Sequence, residues 1–209
     1  GAGNVGAGST ASARPAPEFT APTGTVSING GAAYTKTASV TLTMNAMDAS
    51  GVTRMCISNT GTCTSWEPYA TSKAWSLGSA NGPATVSVWF KDRYENQSGS
   101  PAKASITVDT TAPTGGSLNA AQGALNSKQV MLNWSAATDV YGVSTYRLVF
   151  APGMTAPASC SAGIMLNNNA NMNFTHSGLT AGNAYSYRLC ALDRAGNASA
   201  GITRTVMAR

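Results

Sequence analysis

The sequence predicts an all-β chain that folds as two tandem β-sandwiches. Three observations lead to this prediction: short segments alternate between apolar and polar residues, turn-forming residues separate these segments, and one linker motif occurs twice. The motif, acid-x-Thr-Ala-Pro-Thr-Gly, begins at Glu18 and recurs 91 residues later at Asp109. That interval suits one sandwich domain of roughly 100 residues. We therefore expect a flexible linker at 1–19, a first sandwich at 20–110 and a second at 111–209.

The composition argues against several classes of function. Charged residues make up 10% of the chain, and its net charge of +5 is spread over single Lys and Arg residues with no run of three. The sequence therefore offers no basic stripe for nucleic acid and no patch for a membrane surface. No apolar run approaches the ~20 residues that cross a bilayer. The chain starts at Gly1 without a signal-like segment, so we expect a mature or excised fragment.

The first half contains a series of short strands. Alternation is clearest at 39–46, where Val40, Leu42 and Met44 point to one side and threonines to the other. The segment 66–69 contains Pro68, which suits an edge or a turn. Further strands are expected at 25–28, 52–57, 75–77, 84–90 and 103–108. Residues 1–17 are Gly, Ala, Ser and Pro with little apolar bulk, which is typical of a flexible linker.

The second half repeats this plan with an insertion. The motif Asp-Arg-x-x-Asn-x-Ser at 92–98 recurs at 193–199, an interval of 101 residues. We expect the additional residues to form a loop at 151–173. At both motifs we interpret the Asp as the cap of a turn, and Asn96 or Asn197 as the residue that adopts the left-handed conformation there.

The four cysteines are divided equally between the predicted domains: Cys56 and Cys63, then Cys160 and Cys190. Four cysteines allow three connectivities, and pairing within each domain is the simplest because the others must join separate cores. Disulfides would indicate an oxidising compartment. Free buried thiols are the alternative. No Cys-x-x-Cys or His/Cys cluster supports a zinc site.

The second half resembles a fibronectin type III module over about residues 115–209. The resemblance depends on Trp134 in the second strand, on 146–148 in the third, and on Leu179 six residues before Tyr185. The last pair is similar to the tyrosine corner, in which a phenol bonds back to the backbone.

The first half resembles a bacterial Ig-like repeat. The resemblance depends on the segments 46–52, 66–69 and 90–92, followed by the linker at 109–113. Ala84 stands where a type III module would have its tyrosine corner. Together the two resemblances imply spacer or binding modules of a bacterial secreted or cell-surface protein.

Catalytic chemistry is not expected. The single histidine, His176, lies in a segment that we interpret as a polar loop, and no Gly-x-Ser-x-Gly motif is present. The eight acidic residues offer no convincing carboxylate pair. We therefore predict that the chain is not an enzyme, with no catalytic residue and no cofactor.

Two kinds of binding site remain as alternatives. Calcium takes six to eight oxygens, and the sparse acids could supply some of them at the end of each sandwich. The candidates are Asp109, Asp139 and Asp193 in the second half, and Glu18, Asp48 and Asp92 in the first. A glycan-binding platform would use exposed rings, for which the candidates are Trp66, Tyr69, Trp89 and Tyr94.

The predicted function is that of a non-catalytic extracellular module pair that spaces or adheres. Its partner would be a protein or a cell-surface polysaccharide, with no nucleic acid and no membrane span. Pro113 is expected to hold the junction extended, because proline restricts both itself and the preceding residue. The alternatives are an accessory, glycan-binding region of a larger secreted enzyme, and a subunit of an extracellular filament.

Overall fold

The structure, a computed structural model, describes residues 18–209. Within this range every regular element is a β-strand except a short 3-10 turn at Asn29–Gly31. The predicted all-β class with two tandem sandwiches is confirmed. Most of the expected flexible linker at 1–19, namely residues 1–17, lies outside the described residues. No helix in the described range has the length and apolar character needed to cross a membrane.

The first sandwich has eight strands in two sheets. One sheet has the order β1-β3-β6, and the other has the order β2-β8-β7-β4-β5. All neighbours are antiparallel except β2, which lies parallel to β8. The strands are β1 Thr23–Ile28, β2 Tyr34–Thr35, β3 Ser39–Met47, β4 Val52–Ser58, β5 Glu67–Pro68, β6 Ser72–Ser76, β7 Gly82–Asp92 and β8 Ala102–Val108.

The core of the first sandwich follows the predicted alternation. Strand β3 buries Val40, Leu42 and Met44, while the residues between them are exposed. These side chains belong to the same cluster as Val88 and Phe90 of β7. Because successive side chains of a strand point to opposite faces, each strand presents one row to the other sheet.

The second sandwich has seven strands, all in antiparallel pairs. One sheet has the order β13-β10-β9, and the other has the order β12-β11-β14-β15. The strands are β9 Ser117–Gln122, β10 Val130–Ser135, β11 Val143–Pro152, β12 Ile164–Asn169, β13 Asn173–His176, β14 Ala184–Asp193 and β15 Ile202–Met207. Its core includes Trp134, Tyr146, Leu148 and Tyr187, and shares no residue with the first core.

The predicted loop at 151–173 is partly wrong, because it contains strand β12. This strand pairs with β11 across a register shift between Leu148 and Val149. Its apolar residues Ile164 and Met165 are 56% and 60% exposed. Since β12 is an edge strand with little burial, its sequence does not alternate clearly, and this explains the error.

Each sandwich contains one disulfide, Cys56–Cys63 in the first and Cys160–Cys190 in the second. The second bond forms a small cluster with Val149, separate from the domain core. Cys190 therefore faces the outer side of the sheet, and the disulfide fastens the segment between β11 and β12 to that surface.

Candidate functional site

Six of the eight acidic residues lie in two clusters at corresponding ends of the sandwiches. In each cluster, three carboxylate oxygens, one from each residue, lie within 4.8 Å of one another. The first acidic cluster is Glu18, Asp48 and Asp92, and the second acidic cluster is Asp109, Asp139 and Asp193. The structure thus brings together both sets of calcium candidates named from the sequence.

The two clusters are built in the same way. Asp48 and Asp139 each open a turn after the second long strand, and the N–H of the glycine three residues later donates to their carbonyl at 3.2 Å. Both glycines, Gly51 and Gly142, have φ of 91°, a conformation that favours glycine. The third member of each cluster ends strand β7 or β14. The repeated motifs therefore encode a repeated three-dimensional arrangement.

In the second acidic cluster, local turns orient every carboxylate. Asp109 Oδ1 accepts a hydrogen bond from the N–H of Thr111 at 3.0 Å. Asp139 Oδ1 accepts from the N–H groups of Tyr141 and Gly142 at 2.8 and 3.1 Å. Asp193 Oδ1 accepts from the N–H of Asn197 at 2.8 Å. These bonds occupy the Oδ1 atom of each aspartate, so the Oδ2 atoms remain for other partners.

The remaining oxygens are incompletely satisfied. Asp109 Oδ2 and Asp139 Oδ2 are both buried and accept no hydrogen bond from the described residues. The exposed fraction of Asp109 is 0%. Asp193 Oδ2 accepts from the side-chain amide of Asn197 at 2.7 Å. Two buried carboxylate oxygens without partners are unusual, because buried polar groups are normally hydrogen-bonded.

No cation of the described chain compensates these charges. The ion pairs among residues 18–209 involve only Glu67 and Glu95, the two acids outside the clusters. Burial raises the pKa of Asp109, and the nearby Asp139 and Asp193 carboxylates raise it further, against the hydrogen bond from Thr111. The second acidic cluster is therefore a buried concentration of like charge.

The first acidic cluster is better satisfied. Asp92 Oδ1 accepts from the N–H groups of Tyr94 and Asn96, both at 2.8 Å, and its Oδ2 accepts from the Asn96 amide at 2.7 Å. Burial acts to raise the pKa of Asp92, but these hydrogen bonds outweigh it and the pKa is lowered. The Asn96 amide also reaches the Glu18 carbonyl at 2.9 Å.

Both sandwiches hold the linker at the second acidic cluster. The N–H of Asp109 donates to the Thr35 carbonyl of the first sandwich at 2.8 Å, and the N–H of Thr110 donates to Asn81 Oδ1 at 3.1 Å. From the second sandwich, the Asn197 amide donates to the carbonyls of Asp109 and Thr111 at 2.8 and 3.3 Å. The junction is therefore hydrogen-bonded from both sides.

Side chains extend this junction. The rings of Tyr34 and Tyr141 lie 6.2 Å apart, one from each sandwich. Arg194 of the second sandwich lies over the Tyr34 ring at 5.9 Å and donates to its hydroxyl at 3.3 Å. Pro113 is buried in the linker itself. Nothing in the sequence predicted the Tyr34 contacts, because they join residues far apart in the chain.

The predicted role of the two asparagines in the turn is wrong. The left-handed residues are Glu95, with φ of 69°, and Gly196, with φ of 89°. Asn96 and Asn197 follow them and use their side-chain amides to bridge an aspartate and the linker backbone. The repeated Asp-Arg-x-x-Asn motif was the signal that could have revealed this role.

The prediction that His176 lies in a polar loop is wrong. His176 is the last residue of β13 and packs against the core. Its Nδ1 lies 3.0 Å from the Tyr187 hydroxyl, and its ring contacts Phe150 with centroids 4.4 Å apart. Burial lowers the pKa of His176 and raises that of Tyr187. His176 is therefore a partly buried histidine that packs against aromatic residues of the second core.

The four candidate aromatic residues do not form one platform. Tyr69 packs edge-on against Phe90, and its hydroxyl accepts from the N–H of Ala46 at 3.0 Å. Tyr69 is therefore partly buried and packs against the core, so its ring is not free to belong to a flat sugar-stacking surface. Trp66 is half-buried, with the Lys91 ammonium 4.7 Å above its ring.

The residues behind the type III resemblance lie in structural roles. The Tyr185 hydroxyl accepts a hydrogen bond from the N–H of Thr180 at 3.0 Å, next to the buried Leu179. Trp134 is buried and packs against Tyr146 with centroids 6.0 Å apart. The bond from the Thr180 N–H to the Tyr185 hydroxyl has the geometry of a tyrosine corner.

Comparison with known proteins connects this fold to modular proteins. No protein-family model matches the chain. Exoglucanase B of Cellulomonas fimi is 36% identical over 97 residues, which are 45% of this chain but only 8% of the relative. The fibronectin(III)-like modules of Clostridium thermocellum CbhA superpose over 88% of this chain and 94% of theirs, with a TM-score of 0.58 and 13% identity.

A second solved structure has the same architecture. The FN1–FN3 domains of chicken CNTN1 match 90% of this chain and 66% of theirs, with a TM-score of 0.52 and 14% identity. At these sequence identities the structural matches show a shared fold and nothing about function. The chain is therefore similar in fold to tandem fibronectin type III domains, and about half of it is similar in sequence to a small part of a bacterial exoglucanase.

Proposed function

We propose that this chain is a non-catalytic pair of extracellular modules that holds other parts of a secreted bacterial protein at a fixed spacing. The observation that carries the proposal is the linker at Asp109, which is hydrogen-bonded by Thr35 on one side and by Asn197 on the other. Rotation of one sandwich relative to the other would break these bonds. A linker held in this way suits a spacer better than a hinge.

The modules would occupy 20–110 and 111–209, and the first would be an Ig-like module. The short strand β2, parallel to β8, distinguishes the first sandwich from the second and supports separate assignments. The two disulfides support an extracellular location, because such bonds persist in oxidising compartments.

The surroundings of candidate reactive groups support a non-catalytic role. His176 packs among aromatic rings, and the cysteines are in disulfides. A surface depression of about 430 Å³ is lined by residues of β3 and β6 together with Asn29, and contains no titratable side chain. An open depression without titratable groups differs from the enclosed, convergent sites of enzymes.

A second candidate is an accessory region of a secreted polysaccharide-degrading enzyme. It is favoured by the 36% identity to Exoglucanase B, although the chain spans only 8% of that protein. Under this proposal the catalytic part lies elsewhere in a longer protein, and the modules either space it or bind its polysaccharide. The partner would then be a polysaccharide rather than a protein.

Small-angle scattering tests the spacer proposal. We expect the profile of the chain to fit one arrangement of the two sandwiches, and Asn197→Ala to broaden the distribution of arrangements. Asn96→Ala is the matched control, because it removes the equivalent amide from the end that has no sandwich before it in the described chain. A profile that requires freely moving domains in the unmodified chain would refute the spacer proposal.

Sedimentation with insoluble cellulose, xylan and chitin separates the two candidates. A pure spacer remains in the supernatant with all three polymers. Retention by one polymer, reduced by Trp66→Ala or Trp89→Ala, would favour the accessory binding region. Concentration-dependent polymerisation in analytical ultracentrifugation would instead favour the filament subunit named as an alternative.

A further inference from the structure

The distribution of charge in this protein is unusual at the domain junction. The chain has 13 Lys and Arg residues against 8 Asp and Glu, yet the second acidic cluster gathers three carboxylates with no cationic side chain at ion-pair distance among residues 18–209. With so many cations available, such a cluster would ordinarily be neutralised by one of them. A positive group from outside the chain would supply the missing compensation.

We propose that Asp109, Asp139 and Asp193 bind one calcium ion at the junction between the two sandwiches. The three carboxylates offer oxygens within 4.8 Å of one another, which is the spacing of ligands around a single ion. All three groups are hard oxygen donors, and no histidine or cysteine belongs to the cluster. That donor set favours calcium over zinc or other metals that prefer nitrogen and sulfur.

The buried oxygen of Asp109 is the independent observation behind this proposal. Asp109 has an exposed fraction of 0%, and its Oδ2 accepts no hydrogen bond from the described residues. Asp139 Oδ2 is likewise buried without a partner. Burying a carboxylate oxygen is unfavourable unless it is paired or coordinates a metal. Calcium would satisfy both oxygens at once.

The local turns prepare the cluster for an ion. The Oδ1 atoms of the three aspartates are held by backbone N–H groups at 2.8 to 3.1 Å. The carboxylates therefore have little freedom to turn away from one another. Calcium takes six to eight oxygens, so backbone carbonyls and water would complete its coordination.

Binding would have a mechanical consequence. Asp109 belongs to the linker, and its N–H is bonded to Thr35 of the first sandwich, whereas Asp139 and Asp193 belong to the second. An ion shared by the three would fasten the linker to the second sandwich. This inference goes beyond the spacer function and does not depend on it, since binding is measured separately from domain motion.

The first acidic cluster provides an internal control. Its geometry is equivalent, but none of its carboxylate oxygens is left buried without a partner, and both oxygens of Asp92 are hydrogen-bonded. The proposal therefore assigns the calcium ion to the second acidic cluster alone. Asp48→Asn and Asp139→Asn change corresponding residues of the two clusters and form a matched pair.

The experiment is calcium titration of the full chain after dialysis against EDTA. Isothermal calorimetry should give one calcium ion per chain. A hundredfold excess over Kd should raise the Tm of one transition by about 10–15 °C, and EDTA should reverse this rise. Asp109→Asn and Asp139→Asn should abolish both signals, while Asp48→Asn should retain them.

The variants also guard against a simple folding defect. Without calcium, Asp109→Asn should melt at the same temperature as the unmodified chain or higher, because it removes a buried like charge. No calcium heat in the unmodified chain, or unchanged binding by Asp109→Asn, overturns the proposal. Equal stabilisation by magnesium, or loss of binding in Asp48→Asn instead of Asp139→Asn, also overturns it.

Discussion

The side-chain amide of Asn197 donates a hydrogen bond to the backbone carbonyl of Asp109 at 2.8 Å, across 88 residues of sequence. The same amide lies 2.7 Å from Asp193 Oδ2. One side chain therefore connects the end of β14 to the linker that precedes the sandwich. Asn96 makes the corresponding bond to the Glu18 carbonyl at 2.9 Å.

Replacement of Asn197 should weaken the second sandwich. Asn197→Ala removes hydrogen bonds to a buried carboxylate and to the linker, so we expect its free energy of unfolding to fall by about 1–3 kcal/mol. Scanning calorimetry measures this, since the two cores are separate. Asn96→Ala should shift the other transition instead. Equal shifts of both transitions in either variant would contradict the separation of the two cores.

Removal of the Tyr185 hydroxyl should also destabilise the second sandwich. Tyr185→Phe leaves the N–H of Thr180 without its partner, and we expect a loss of about 1–2 kcal/mol in urea unfolding. Tyr94→Phe is the control, because this ring is 39% exposed in a turn of the first sandwich. If the two variants unfold at the same urea concentration, the tyrosine corner contributes no stability here.

The two disulfides should contribute unequally. Their cysteines are separated by 30 residues in the second sandwich and by 7 in the first. Loop-closure entropy then predicts losses of about 3–4 and about 2–2.5 kcal/mol when each pair is replaced by alanine. Comparison of Cys160→Ala/Cys190→Ala with Cys56→Ala/Cys63→Ala by chemical denaturation measures the difference. A larger loss from the short loop would show that packing outweighs chain entropy.

The single histidine should make stability depend on pH. Burial lowers the pKa of His176 in the folded chain below its ordinary value of 6.5. The unfolded chain therefore binds a proton more readily, so this contribution to stability is complete above pH 6.5 and declines as the pH falls below it. Denaturation at pH 7 and pH 5 should show a greater loss for the unmodified chain than for His176→Gln. The same loss in both would assign the pH dependence to other groups.

The long strands could be predicted because their burial is one-sided. Val40, Leu42 and Met44 alternate with threonine and asparagine, and this pattern predicts both the strand and the face that it buries. Strand β12 could not be predicted, because it lies at a sheet edge where Ile164 and Met165 are exposed, so its apolar residues do not alternate with polar ones. The prediction for His176 was wrong for a related reason. Its neighbours in the sequence are polar, and they give no sign of its contact with Tyr187 of β14.

The acidic clusters were predictable in membership but not in chemistry. Two repeated motifs placed the acids at corresponding strand ends, so their convergence followed from the topology. Which oxygens would be satisfied depended on the turn after each strand. The sequence could not show that Asp92 is fully hydrogen-bonded while Asp109 keeps a buried oxygen without a partner.

The double attachment of Asp109 affects how the chain can be divided for study. The backbone N–H of this residue completes an interaction of the first sandwich, while its carboxylate completes a cluster of the second. A fragment that begins at residue 111 would lack one of the three aspartates and the nearer of the two carbonyls that Asn197 contacts. Isolated second modules should therefore begin upstream of Asp109, and measurements on shorter pieces would underestimate the stability of the module.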